Sequence, residues 1–276
     1  MRALLVLVAV TAVWGVTFVQ VKDAVALYPL FAFLAVRFLI ASVALAPLGA
    51  RRVRSLGRAG LVAGCVAGAL LGAGYALQTA GLERTSVSSA GFITGMYVVL
   101  TPLIGLALFR TGVSNAAWIG VALSMLGLAL LSGVHAGSAL GDALVLAGAA
   151  VYSLQIVLME RYAPRFDVVA FTLVEMVASF AGLLVIALAL GDLELPHGST
   201  VWGALVVTGV FASAFAFLAQ TWAQRRVTAT RTALAFSLEP VWTAFFGYTL
   251  AGDRLGAWAW AGCAAIFAGV LVAETA

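Results

Sequence analysis

The sequence predicts an all-α protein that crosses a lipid bilayer many times. Two observations carry that prediction. Of the 276 residues, 64% are hydrophobic and only 9% charged, whereas an ordinary soluble domain carries about a quarter charged residues. No Asp, Glu, Lys or Arg occurs in 59–82, 85–109, 111–141, 195–224 or 255–273, and each run is long enough to span a hydrocarbon core. This composition weighs against a soluble enzyme, a secreted disulfide scaffold and a nucleic-acid binder.

Charge and turn punctuation divide the chain into ten segments. The first, 2–21, opens on Met1 and Arg2 as a leader would. Its apolar run continues to about Val21 and further spans follow, so it reads as a first helix. Segments 30–49, 58–80, 87–109 and 114–134 complete one group of five. Segments 141–161, 167–190, 200–222, 229–250 and 256–273 form a second. Their lengths of 18 to 24 residues suit single helical crossings. Short linkers make neighbours antiparallel and leave no room for an inserted soluble domain.

The basic residues orient the chain. With the N-terminus in the cytoplasm, eleven fall on the inner side: Arg2, Arg51, Arg52, Arg54, Arg58, Arg110, Arg161, Arg165, Arg225, Arg226 and Arg231. Lys22, Arg84 and Arg254 fall outside, and Arg37 lies within a segment. Eleven against three places both termini in the cytoplasm. The net charge of +4 is therefore a topology signal, compatible with contacts to anionic lipid, and implies no nucleic-acid partner. Cys65 and Cys263 lie in separate apolar segments and read as small packing residues. His135 and His197 fall in connections, so no metal site or cofactor is expected.

The chain also resembles itself. At an offset of 142, residues 75–131 match 217–273 at 12 of 57 positions without a gap. The matches include Gln78 with Gln220, Thr79 with Thr221, Thr101 with Thr243, Gly105 with Gly247, Trp118 with Trp260, Gly120 with Gly262 and Gly127 with Gly269. Earlier in each half the offset is 138, which pairs Trp14 with Tyr152, Phe33 with Phe171 and Arg37 with Glu175. The expected units are 1–137 and 138–276. Five helices is an odd number, so the second unit enters the membrane inverted. Such repeats recur in secondary transporters, with the substrate site between the halves near the midplane.

Charge at intramembrane depth costs about 2.5–3.5 kcal/mol on insertion scales and needs a reason. Arg37 and Glu175 occupy matching repeat positions and are open to two readings, local pairing or snorkelling, or function. Glu239 sits near the middle of the ninth segment, too deep to snorkel, where it could meet a substrate amine or carry a proton. The repeat supplies its neighbours. Glu239 and Thr243 are four apart and match Tyr97 and Thr101; Phe217 and Gln220 match Tyr75 and Gln78; Trp14 and Thr17 match Tyr152 and Gln155. These spacings put each pair on one side of its helix, giving an expected substrate lining of aromatic rings, neutral hydrogen-bonding groups and one carboxylate.

Pro102 and Pro240 are expected to break the fourth and ninth helices, as kinks that either gate or shape the cavity. Gly60, Gly64, Gly68 and Gly72 form a four-residue ladder, and Gly91 and Gly95 a shorter one; small residues at this spacing bring backbones close in lipid. Trp118, Trp202, Trp258 and Trp260 stand near segment ends, as interfacial residues do.

Trp14-Gly15, Arg37, the FITGMYVVLTP run at 92–102, SLEPV at 237–241, and GDRL at 252–255 followed by Gly262 and Gly269 together resemble the EamA-type branch of the drug/metabolite transporter superfamily. The resemblance spans nearly the whole chain. It implies a ten-helix duplicated fold and the export of amino acids or other small metabolites. Family members often have Gly-Glu-Arg at the last loop, where this chain has Gly252-Asp253-Arg254.

The function expected from these observations is a secondary transporter of the cytoplasmic membrane, moving small metabolites outward by alternating access. Its partners are a small-molecule substrate and the bilayer, with protons as a candidate coupling ion and the oligomeric state unread. No phosphate-binding loop points to ATP, and no nucleophile–base pair at helix depth points to an enzyme. Two alternatives are a lipid or lipid-linked flippase and a non-transporting scaffold or receptor subunit.

Overall fold

A computed structural model describes residues 2–132, 138–246, 248–249 and 254–274, apart from the side chains at 18–19, 87–88 and 132. Residues His135, Gly247, Gly252 and Asp253, named above, lie outside that description. The described residues contain helices and no strand. In order these are α1 (Arg2–Val25), α2 (Leu30–Gly49), α3 (Gly57–Leu82), α4 (Val87–Gly95), α5 (Tyr97–Phe109), α6 (Asn115–Ser132), α7 (Ala139–Tyr162), α8 (Val168–Leu190) and α9 (Ser199–Val206). After α9 the chain widens into a π-helical stretch, Val207–Phe215, then continues as α10 (Ala216–Ala223), α11 (Ala229–Phe236), α12 (Glu239–Phe246) and α13 (Ala257–Glu274).

Among the described residues, six helical stretches are long and apolar enough to cross a membrane, and 2–17 and 115–131 are shorter apolar helices. One stretch, Leu30–Leu82, is 53 residues long. It contains α2 and α3, joined by a 3-10 turn, Ala50–Leu56, that carries Arg51, Arg52 and Arg54. Gly57 ends that turn at φ +62, a backbone angle that glycine adopts without a Cβ clash.

Polar residues punctuate the apolar helices where backbone N–H groups lack partners. Ser86, Ser138, Asp167 and Thr228 each accept a hydrogen bond from the backbone N–H three residues on, capping α4, α7, α8 and α11. Each such cap stabilises its helix by about 1 kcal/mol.

Packing between helices depends on glycine. Ser179 of α8 donates a 2.8 Å hydrogen bond to the Gly68 carbonyl on α3, and a Cβ at Gly64 would lie 2.8 Å from Val174 Cγ1. Gly64, Gly68 and Gly72 are therefore the seat of α3 on α8, while Gly60 meets Leu56 and Phe166. In α4, Gly95 meets Leu128 of α6, whereas Gly91 faces open space. Helices α6 and α13 also approach closely. A Cβ on Gly120 would stand 2.5 Å from the Gly269 carbonyl, and one on Gly127 2.5 Å from the Gly262 carbonyl. Residue numbers rise on one helix as they fall on the other, so the pair is antiparallel.

The breaks differ in part from the expected proline kinks. The ninth segment breaks at Ser237 and Leu238, and Pro240 stands in the first turn of α12. That placement suits a ring lacking an N–H, since helix-start N–H groups have no intrahelical partner. The fourth segment breaks at Met96, whereas Pro102 lies inside α5. Pro102 would disturb the carbonyl four residues earlier, at Val98, which is beyond the break.

Candidate functional site

The helix ends and breaks converge on a cavity of about 80 Å³, room for roughly three water molecules at about 30 Å³ each. Both halves of the chain wall it. The first half contributes Trp14 and Thr17 of α1, Arg37 of α2, Tyr75 and Gln78 of α3, Thr94 of α4 and Tyr97 of α5. The second contributes Tyr152 and Gln155 of α7, Phe217 and Gln220 of α10, Phe236 of α11 and Glu239 of α12.

Arg37 is 3% exposed and is held without a carboxylate partner. Its Nε donates to Ser213 Oγ at 2.8 Å, and its Nη2 donates to Tyr75 Oη at 3.1 Å and to the Ala212 carbonyl at 3.4 Å. The guanidinium stacks 4.4 Å from the centre of the Tyr75 ring, a contact favoured by the ring quadrupole. Nη1 has no hydrogen-bond partner among the described residues. The fork is thus fixed at one end and has donors left at the other.

The π-helical stretch makes this anchoring possible. Trp14 Nε1 also donates to the Ala212 carbonyl, at 2.9 Å. A π turn takes its hydrogen bonds from five residues on, and here the altered ladder offers Ala212 to α1 and α2 together. Trp14 is further packed between Phe217 and Phe236, with ring centroids 5.7 and 4.8 Å away.

Amides hold the second wall. Tyr152 Oη donates to Gln78 Oε1 at 3.1 Å, and Gln78 Nε2 donates to Thr94 Oγ1 at 3.0 Å. Gln220 Nε2 donates to Gln155 Oε1 at 3.1 Å and to Gln224 Oε1 at 2.8 Å. Gln155 Nε2 in turn donates to Glu175 Oε1 at 2.8 Å. Glu175 is fully buried and behind the cavity wall, so it neither snorkels nor pairs with Arg37. Glu239 differs. It is half-buried, lines the cavity, and its carboxylate has no hydrogen-bond partner among the described residues.

Ten of the twelve residues expected in the lining therefore surround one space: Trp14, Thr17, Tyr75, Gln78, Tyr97, Tyr152, Gln155, Phe217, Gln220 and Glu239. Thr101 and Thr243 do not. Thr101 lies in the wall of a second cavity. Thr243 donates to the Gly15 and Glu239 carbonyls, both at 3.1 Å, and ties α12 to α1. Sequence reasoning did not single out Thr94 and Phe236, although they are repeat mates at the offset of 142. It also kept Arg37 apart from the lining, because no sequence signal locates a π-helical anchor.

The cavity juxtaposes a guanidinium with free donors, an unpaired carboxylate, amide groups and aromatic rings. It is suited to a small solute carrying both charges. Among the described residues no group of three His, Cys, Asp or Glu side chains could hold a metal ion.

A bundle of apolar helices around a cavity that gathers charged, amide and aromatic side chains defines a multi-pass membrane protein that handles a small molecule. The profile of the EamA-like transporter family matches residues 1–133 and again residues 139–275. The chain belongs to the EamA-like transporter family, within the drug/metabolite transporter superfamily. An uncharacterized transporter of Archaeoglobus fulgidus is 30% identical over 251 residues, covering 90% of this chain and 78% of that protein. The uncharacterized transporter YyaM of Bacillus subtilis is 25% identical over 212 residues, covering 72% of this chain and 68% of its own. A protein known from its crystal structure shares the fold, with a TM-score of 0.81 at 20% identity over 99% of this chain and 96% of that one.

Proposed function

We propose that this EamA-family transporter exports small zwitterionic metabolites, amino acids or related compounds, across the cytoplasmic membrane by alternating access. One observation carries the reading: the cavity sets Arg37 from one half against Glu239 from the other. An α-carboxylate matches the free edge of the guanidinium, an ammonium matches the carboxylate, and the rings of Trp14, Tyr75 and Tyr97 accept the remainder.

The reading includes ten crossings in two inverted five-helix repeats, 1–137 and 138–276, with both termini in the cytoplasm. The antiparallel pairing of Gly120 with Gly269 and Gly127 with Gly262 supports the inversion, because the repeat mates, Gly120 with Gly262 and Gly127 with Gly269, meet crosswise in reverse order. Protons are the candidate coupling ion, through Glu239.

The test is efflux from proteoliposomes loaded with radiolabelled amino acids, with and without a pH gradient, beside vesicles carrying a fluorescent lipid in one leaflet. Saturable amino-acid efflux supports the proposal. Lipid exchange without amino-acid flux replaces it with a flippase, and no flux of either kind replaces it with a non-transporting role. Cysteine labelling from each side, scored at the 50–58 and 110–114 connections, tests the orientation; labelling of either from outside contradicts it.

A further inference from the structure

We infer that the chain holds a second solute site, a polar chamber next to the central cavity that takes the carboxylate of the solute before or after it occupies the centre. The inference rests on the zwitterion reading above and extends it to residues that reading does not use.

The chamber has a volume of about 320 Å³ and is walled by Thr101 and the 111–114 connection, Glu160, and residues 228–231 at the start of α11. It shares three helices with the central cavity. Tyr97 lines the centre and Thr101 the chamber, four residues along α5; Ile156 and Glu160 stand in the same relation on α7; Phe236 and Ala229 are seven apart on α11. At 1.5 Å per residue these spacings separate the two spaces by about 6–10 Å along the helix axes. The chamber is therefore stacked on the centre. In the proposed orientation it is on the cytoplasmic side, where Arg110 and Arg161 lie.

Its chemistry is that of a receptor for a charged headgroup. Thr101 is fully buried, yet its Oγ1 has no hydrogen-bond partner. A buried hydroxyl left without a partner is destabilising, and this one belongs to the chamber wall. Two helices, α6 and α11, begin at the chamber, and helix starts carry partial positive charge. Arg231 adds a full positive charge, with Glu274 4.0 Å from its Nε. Glu160 is the counterweight. Its Oε2 accepts the Ala229 N–H at 2.9 Å, so it caps α11 from across the chamber, and a second carboxylate oxygen remains. The chamber thus resembles the centre in setting a guanidinium, here shared with Glu274, against a carboxylate, Glu160, with hydroxyls replacing aromatic rings.

The test is equilibrium binding to the purified full chain in lipid nanodiscs, using a radiolabelled mixture of protein amino acids and, separately, radiolabelled acetate. Wild-type protein is expected to bind about two equivalents of amino acid per chain. Thr101→Val is isosteric and removes only the unpartnered hydroxyl, so the fold tolerates it. That variant and Arg231→Gln should each weaken one of the two equivalents about tenfold or more and leave the other. Arg37→Gln combined with Glu239→Gln should remove the equivalent that Thr101→Val spares. Binding unchanged in both Thr101→Val and Arg231→Gln overturns the second site while leaving the central one intact. Loss in those two variants with no effect of the central pair overturns the central reading and keeps the chamber. Acetate binding that Thr101→Val abolishes, with amino-acid binding unaffected, shows a free carboxylate as the occupant and overturns a solute in transit.

Discussion

Replacing Gly127 by alanine tests how closely α6 and α13 must approach. The new Cβ would stand 2.5 Å from the Gly262 carbonyl oxygen, 2.6 Å from Ile266 Cγ1 and 2.8 Å from the Ile266 nitrogen. Carbon in ordinary contact sits about 3.5–4.0 Å away, so the two backbones must separate by roughly 1 Å. Overpacking of this kind costs about 1–3 kcal/mol. Alanine also favours a helix over glycine by about 0.8–1.0 kcal/mol, so the net loss is about 0–2 kcal/mol. Gly182→Ala supplies the control, because nothing lies within 4 Å of its Cβ position and only the propensity gain remains. The difference between the two variants isolates the contact, at about 1–3 kcal/mol. Thermal unfolding of both in one detergent should lower the midpoint of Gly127→Ala several degrees below that of Gly182→Ala. Adding Gly262→Ala to Gly127→Ala should cost little more, since the helices have already parted at that crossing. Equal midpoints for the two single variants would refute the close crossing.

Three further outcomes follow from the site. Arg37→Lys keeps the charge but loses the fork that grips Ser213, Tyr75 and Ala212, so amino-acid binding should fall about tenfold to a hundredfold, since charge-assisted hydrogen bonds contribute about 1.5–3 kcal/mol each; equal binding by isothermal titration refutes the role. Glu239→Gln retains shape and loses the charge, so flux should fall and lose any dependence on a pH gradient; full, gradient-dependent flux in that variant removes the proposed coupling. Burial and the nearby Glu194 raise the Tyr28 phenol above its ordinary value of 10.0, and its hydroxyl donates to the Glu194 carbonyl at 2.6 Å. The folded state therefore favours neutral Tyr28, its stability is retained below pH 10 and declines as pH rises further, and Tyr28→Phe should be about 1 kcal/mol less stable at neutral pH with a shallower alkaline decline, read from unfolding midpoints across pH.

The lining was legible where two periodicities agreed. Helical spacing joined Trp14 to Thr17 and Tyr75 to Gln78, and the duplication supplied their mates, so residues that share a face twice also share a cavity. Thr101 and Thr243 obeyed the same rules and were still turned elsewhere. Each stands four residues, about 6 Å, further along α5 or α12 than Tyr97 or Glu239, past the end of the central cavity. Proline was a poor guide to the helix breaks, because Pro102 is tolerated within α5 while the chain bends at an ordinary methionine. Arg37 was visible as an unusual charge, but its partners were not. They depend on a π turn in an Ala-, Val- and Phe-rich stretch that carries no local signature of its wider winding. The second chamber was hidden for a related reason, since its walls come largely from connections whose approach depends on the whole bundle.

The pairing of Arg37 with Glu239 in one space has an electrical consequence. With both side chains ionised the empty cavity carries no net charge, and a zwitterion adds none. In the proposed alternating-access cycle, a reorientation that exposes this cavity first to one side and then to the other would move no charge through the transmembrane field. Exchange of such a solute without a proton would be indifferent to membrane voltage, whereas a proton carried on Glu239 would add one charge to the step. Neutralising either side chain ends that balance: a full unit of charge carried across would be worth about 2.3 kcal/mol per 100 mV, and a carrier that had been silent would become one that the cell's potential pulls in a single direction.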